Sequence, residues 1–222
     1  HGNEFPGTVY FEGIGAVWSF MDDFSTSSNI RLDAGSIISN GFDMRSSGFE
    51  TGSGGAKSMT LDTTVWTVTG GFWCWDANFG DFNLNAGTSL IHFTGSGARM
   101  WNWPSGGNVD FYDVIFEAGT GTVELSNMSG SQVNFNKVYM KANGNIDGPH
   151  TYDTLLVSAG MTYELEENET QTVIEHMGFK GNNCFPITIK SADAGTQSTI
   201  YKATDTVEAD FLVLSDQRAA GG

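Results

Sequence analysis

Between Leu155 and Tyr201 the chain alternates apolar and polar residues in short runs separated by short polar turns. Tyr163 and Leu165 alternate with Thr162, Glu164 and Glu166, and Ile187 and Ile189 alternate with Thr188 and Lys190. Successive side chains of a strand point to opposite faces, so a period of two marks a strand with one buried face. No window here sustains the three-to-four spacing by which a helix buries one stripe. The stretch predicts four or five short strands and, with them, an all-β chain.

The same rhythm runs through the rest of the chain. Residues 8–20 read as two strands around Gly13 and Gly15, and 64–69, 90–93, 109–116, 133–135, 138–140 and 211–214 read as further strands. An Ala-Gly turn follows a strand at Ala34-Gly35, Ala86-Gly87, Ala118-Gly119, Ala159-Gly160 and Ala194-Gly195, at uneven intervals. Stacked coils with corners of variable length accommodate such spacing. Asn40-Gly41 and Asn143-Gly144 are the main candidates for hairpin turns, few for so many strands. The expected fold is therefore a parallel β-helix-like solenoid with irregular coils, forming a single module over residues 1–222. A β-sandwich, also built of many short strands, is the alternative. Residues 46–57, rich in Ser and Gly, read as a flexible loop. The pattern stops in mid-course at 216–222, so the chain reads as a segment of a longer one.

Charge narrows the function. The chain has 26 Asp and Glu against 10 Lys and Arg, a net charge of −16. Such a field repels phosphate backbones and anionic membranes, which excludes nucleic acid as a partner. No apolar run approaches spanning length, so membrane insertion is not expected, and the N-terminus lacks signal-peptide anatomy. Cys74 and Cys184 lie 110 residues apart (184 − 74), several layers of about 4.8 Å each in a stacked fold. They are not expected to pair.

The aromatic pairs Trp73/Trp75 and Trp101/Trp103 are the most suggestive side chains. Period-two spacing puts both members of a pair on one strand face, where indoles in adjacent coils could stack sugar rings. The bland reading is that they are large core residues. The run Glu164, Glu166, Glu167 and Glu169 suggests a wet acidic face rather than a Ca²⁺ site, because no loop has the Asp-x-Asp-x-Asp-Gly pattern that converges six to eight oxygens. Asp22-Asp23 and Asp76/Asp81 are equally thin, so no metal or other cofactor is expected. His1, His92, His150 and His176 show no metal-ligand spacing. His92, between Ile91 and Phe93, is expected to face outward. A polysaccharide-degrading β-helix enzyme is a further alternative, but lyase chemistry beside an anionic uronate suits a strongly acidic chain poorly. Hydrolysis would need two carboxyls about 5–9 Å apart, which no motif singles out. The expectation is a non-catalytic chain.

Several pieces resemble the repeat-containing extracellular proteins of the Bacteroidota, including large gliding- and adhesin-type surface proteins. They are residues 9–20, 30–37, 84–93, 184–191 with 194–197, and the closing Leu214-Ser215-Asp216 and Ala220-Gly221-Gly222. The resemblance implies cell-surface display and a structural or adhesive role, and it brings no catalytic residues with it. It also implies O-glycosylation signals at Asp62-Thr63, Asp153-Thr154 and Asp205-Thr206, making Thr63, Thr154 and Thr206 candidate acceptors. No polar cap stands at either terminus. The ends are therefore expected to pack on neighbouring repeats or on like subunits, with surface glycans as further partners.

Overall fold

The computed structural model describes residues 4–52, 54–73, 82–102, 110–117, 119, 121–127, 132–204 and 207–221, without the side chains of 71–73 and 102. Among these residues there are 21 strands and no helix. Every pairing between strands is parallel, and the chain winds as a β-solenoid of about 8 turns. The antiparallel bridge between Asn182 and Phe185 only closes a turn. The sandwich alternative is thereby set aside.

Each coil crosses three faces. Face A carries Phe24–Ser25, 44–46, 65–68, Leu90–Phe93, 113–116, 137–140, 154–156, 176–178 and Glu208–Asp210 in successive coils. Face B begins with 9–11 and 29–32 and ends with Thr162–Leu165, Ile187–Ser191 and Leu212–Ser215. Face C begins with 17–19 and 36–38 and ends with 170–173, Ser198–Lys202 and Gln217–Gly221.

Register makes the core. Phe24, Met44, Trp66, Ile91, Val114, Val138, Leu155 and Met177 succeed one another on face A, and all but the half-buried Phe24 are buried. Successive members are 17 residues apart at the shortest (155 − 138) and 25 at the longest (91 − 66). Facing them on face B are Ile30, Phe49, Met100, Leu125, Ile146 and Leu165. On face C the rings of Phe111, Phe135 and Tyr152 stack at 5.4 and 5.6 Å, close to the spacing of neighbouring strands. Fully burying such a side chain contributes on the order of 2–3 kcal/mol. Trp66 is fully buried, and its indole N–H donates to Ser46 Oγ at 2.9 Å.

Corners follow local chemistry. Asn40-Gly41, read as a hairpin candidate, instead turns the chain from face C to face A, with φ of 54° and 77°. One coil on, Asp62 turns the same corner at φ 48°, and then Gly87 at φ 57°. These three turns close through Phe42 N–H to Ser39 O, Thr64 N–H to Leu61 O and Ser89 N–H to Ala86 O. The Ala-Gly turns are not equivalent positions. Gly35 bends face B into C, Gly87 turns C into A, and Gly160 lies between A and B. The repeating unit is the coil, and the dipeptide recurs because each bend needs a left-handed φ that Gly adopts freely. Residues 46–57, expected to be flexible, hold the second half of the strand Met44–Thr51, with Ser46, Phe49 and Thr51 buried.

Candidate functional surfaces

The few cations act as staples between coils. Lys137 reaches Asp113 at 2.7 Å, Lys141 reaches Glu117 at 2.7 Å and Lys190 reaches Glu164 at 2.5 Å. Arg99 lies 3.6 Å from Glu124, and Lys180 pairs with Glu208. Lys202 is buried, with its ammonium bound to the Ile174 carbonyl at 2.7 Å. Exposed pairs of this kind contribute under about 1 kcal/mol each, so their effect is on register and surface charge more than on stability.

On face A, His92 faces outward as expected and meets Glu117 at 3.0 Å. Glu117 also accepts from Lys141, whose hydrogen bond holds its carboxyl below the usual range, with His92 adding to the effect. The three are one coil apart in turn (117 − 92 = 25 and 141 − 117 = 24). Sequence reading missed Glu117 and Lys141, because the partnership exists only once coil length is known.

The acidic run lies on and beside face B. Glu164 faces outward and is paired with Lys190, while the Glu166 carboxylate accepts from Gly148 N–H at 2.5 Å. Asp147, one coil earlier, has no cation beside it among the described residues. Its partial burial, and then Glu124, Glu166 and Glu164, push its carboxyl up to about 6. Among the described residues no three His, Cys, Asp or Glu side chains are grouped to hold a metal ion.

Beneath that surface lies a polar group inside the coil. His150 is fully buried, and burial pushes its imidazole down to about 4. Tyr152 O–H donates to Gln171 Oε1 at 3.0 Å, and Gln171 Nε2 donates to the Gly148 carbonyl at 2.8 Å. This cluster is sealed from solvent and closes the corner between faces B and C.

Of the tryptophans, Trp101 stands on the outer side of face B, next to buried Met100, with the Arg99 guanidinium 5.5 Å from its ring centre. Trp73 is in register with Met100 and Trp101 with Ser126, so Trp73 and Trp101 are offset by one residue along the face. Trp75 and Trp103 lie outside the described residues. Thr63 is exposed at a corner, Thr154 is half-buried on face A, and Thr206 lies outside the described residues. Cys184 is an exposed free thiol, and Cys74 lies outside the described residues. No helix is long and apolar enough to cross a membrane among the described residues. No family model matches this chain, and neither a curated protein nor a solved structure is significantly similar to it.

Proposed function

We propose that the chain is a non-catalytic structural or adhesive module of a bacterial surface protein or surface filament, stacked end to end on neighbouring repeats or like subunits outside the cell. The supporting observation is where its apolar surface lies. Of thirteen large apolar side chains exposed among the described residues, five are in the first coil (Phe5, Tyr10, Ile14, Val17, Met21) and four in the last (Val207, Phe211, Val213, Leu214). Leu214 stands on the inward column next to Ile189, which is 2% exposed, yet is itself 57% exposed because a coil packs against only one side of it. Strand edges at the two ends are likewise unpaired along the axis, and such edges template association. Parallel strands give every coil the same polarity, so the open N–H and C=O groups at one end can pair with those at the opposite end of a like chain while the parallel ladder continues.

Sedimentation velocity and negative-stain microscopy of the purified chain over a hundredfold range of concentration test this reading. End-to-end assembly that grows with concentration is expected, and a monodisperse monomer throughout would sink it. The glycan-adhesin alternative rests on Trp101 at the outer side of face B. Its test is loss of a glycan-array signal in Trp101→Ala.

A further inference from the structure

The first coil departs from the others where it passes from face B to face C. Glu12 pairs with Ala34 and Val17 with Ser36, so residues 13–16 stand opposite Gly35 alone. The excursion is unfavourable in itself: Gly15 sits at φ 73° and Ile14, at its tip, is 90% exposed. The next coil makes the same passage through Gly35 alone, so stacking does not require it. Bulges bend the strand and re-aim side chains, and they are over-represented at sheet edges and next to binding and active sites.

Between the bulge and face C lies an open groove of about 480 Å³, bordered by Gly15, Gly35, Ser36, Ser58, Phe82 and Asn83. That volume falls within the range of small-ligand clefts. Ser36 and Ser58 share a hydrogen bond between their hydroxyls at 2.6 Å, which leaves donor and acceptor capacity on the pair. Asn83, in the next coil of the same row, is exposed, and its side-chain amide makes no hydrogen bond to the described residues. Gly15 carries no side chain to keep a ligand off the backbone, and a Cβ there would meet nothing within 4 Å.

We propose that this groove binds a neutral, hydroxyl-rich saccharide. A peptide strand finds no free edge here, because Ser36 is paired on both sides, with Val17 and Ser58, and Ser58 with Ser36 and Asn83. An anionic sugar finds no exposed cation in the lining: Lys57, which also borders the groove, is buried, and its ammonium donates to the Gly55 carbonyl at 2.8 Å. On the other side of the bulge Glu12 and Asp33 line a second hollow, where Arg31 is bound to Asp33 at 2.8 Å. What remains is a lining of two hydroxyls, one amide and Phe82, which suits a ring of alternating O–H and C–H groups. The groove is on the flank of the rod, so it stays open whether or not the ends are stacked.

Saturation-transfer NMR on the whole chain tests this with cello-, laminari-, malto- and mannohexaose, and oligogalacturonate as the charged contrast. Transfer to at least one neutral hexasaccharide and none to oligogalacturonate is expected. Ser58→Ala/Asn83→Ala, at outward positions that leave Tm unchanged, should weaken that binding at least tenfold, and so should Asn83→Asp, while Trp101→Ala leaves it intact. Absence of transfer from every neutral probe at millimolar concentration overturns the proposal. So does affinity that survives both groove variants, or that disappears with Trp101→Ala alone.

Discussion

His150 and Asp147 are tied across one corner: the imidazole Nε2–H donates to the Asp147 carbonyl oxygen at 3.1 Å, with the ring inside the coil and the carboxylate outside. Their ionisations pull stability in opposite directions. Burial lowers His150 to about 4 from an ordinary 6.5, so its contribution is complete above about 6.5 and is lost as pH falls towards 4. Burial and neighbouring carboxylates raise Asp147 to about 6 from 3.8, so its protonated form favours the fold at low pH, and that contribution is lost as pH rises through 6. Over pH 4–6 the two oppose each other. Asp147→Asn is expected to steepen the acid loss of stability relative to wild type, by roughly 1–2 kcal/mol at pH 4 for a carboxyl that solvent partly screens. His150→Gln is expected to flatten or reverse it. Urea unfolding at half-unit steps from pH 4 to 7 reads both, and equal slopes in all three proteins would contradict the assignment.

Gly35 and Gly195 have the same φ of 88° but different surroundings. A Cβ at Gly195 meets nothing within 4 Å, so Gly195→Ala pays only the left-handed penalty of about 1–2 kcal/mol. A Cβ at Gly35 would lie 2.5 Å from the Gly13 carbonyl oxygen and 2.7 Å from that of Ala16. Both are backbone atoms that cannot rotate away. Gly35→Ala is expected to cost more than about 3 kcal/mol in equilibrium unfolding, or to displace the bulge.

Tyr152 and Gln171 form a fully buried donor–acceptor pair at 3.0 Å. Tyr152→Phe leaves Gln171 Oε1 without its partner in a dry interior, a loss of about 1–3 kcal/mol. Gln171→Met in the same background removes the orphaned acceptor but also the bond to the Gly148 carbonyl. A double-mutant cycle on thermal or urea unfolding should therefore show the pair losing less than the sum of the single changes.

Leu214→Asp separates assembly from folding. The side chain is largely exposed within one chain, so the variant should unfold within about 0.5 kcal/mol of wild type. It should lose concentration-dependent association, whereas Val65→Asp, at an exposed position in the middle of the rod, should keep it. Sedimentation velocity on both variants decides the matter.

The four or five strands expected between Leu155 and Tyr201 are found as five: the end of His150–Val157, then Thr162–Leu165, Thr170–Lys180, Ile187–Ser191 and Ser198–Lys202. Period two was legible there because one face of each strand is buried and the other wet. Parallel stacking was legible from the shortage of hairpin turns. Register was not, because the coils differ in length, and nothing local tells that Val138 stacks on Leu155 after 17 residues (155 − 138) while Trp66 stacks on Ile91 after 25 (91 − 66). That is why His92–Glu117–Lys141 escaped a sequence reading. The strand Met44–Thr51 escaped for another reason: its inward positions are filled by Ser46 and Gly48 as well as Phe49, and small residues leave no alternation to read.

The ladder bonds of all three faces run along the rod axis, and this sets how the molecule takes a load. Compression and bending are resisted by every coil at once, since each is seated on its neighbours through three sheets and a shared core. A pull on the chain termini acts differently, because it reaches only the outermost coil and opens that coil's bonds in turn. The rod should therefore yield in steps of one coil from its ends inward, each step paying out roughly 17–25 residues of chain (155 − 138 and 91 − 66). In tethered use it would act as a stiff strut with a graded fuse at each end.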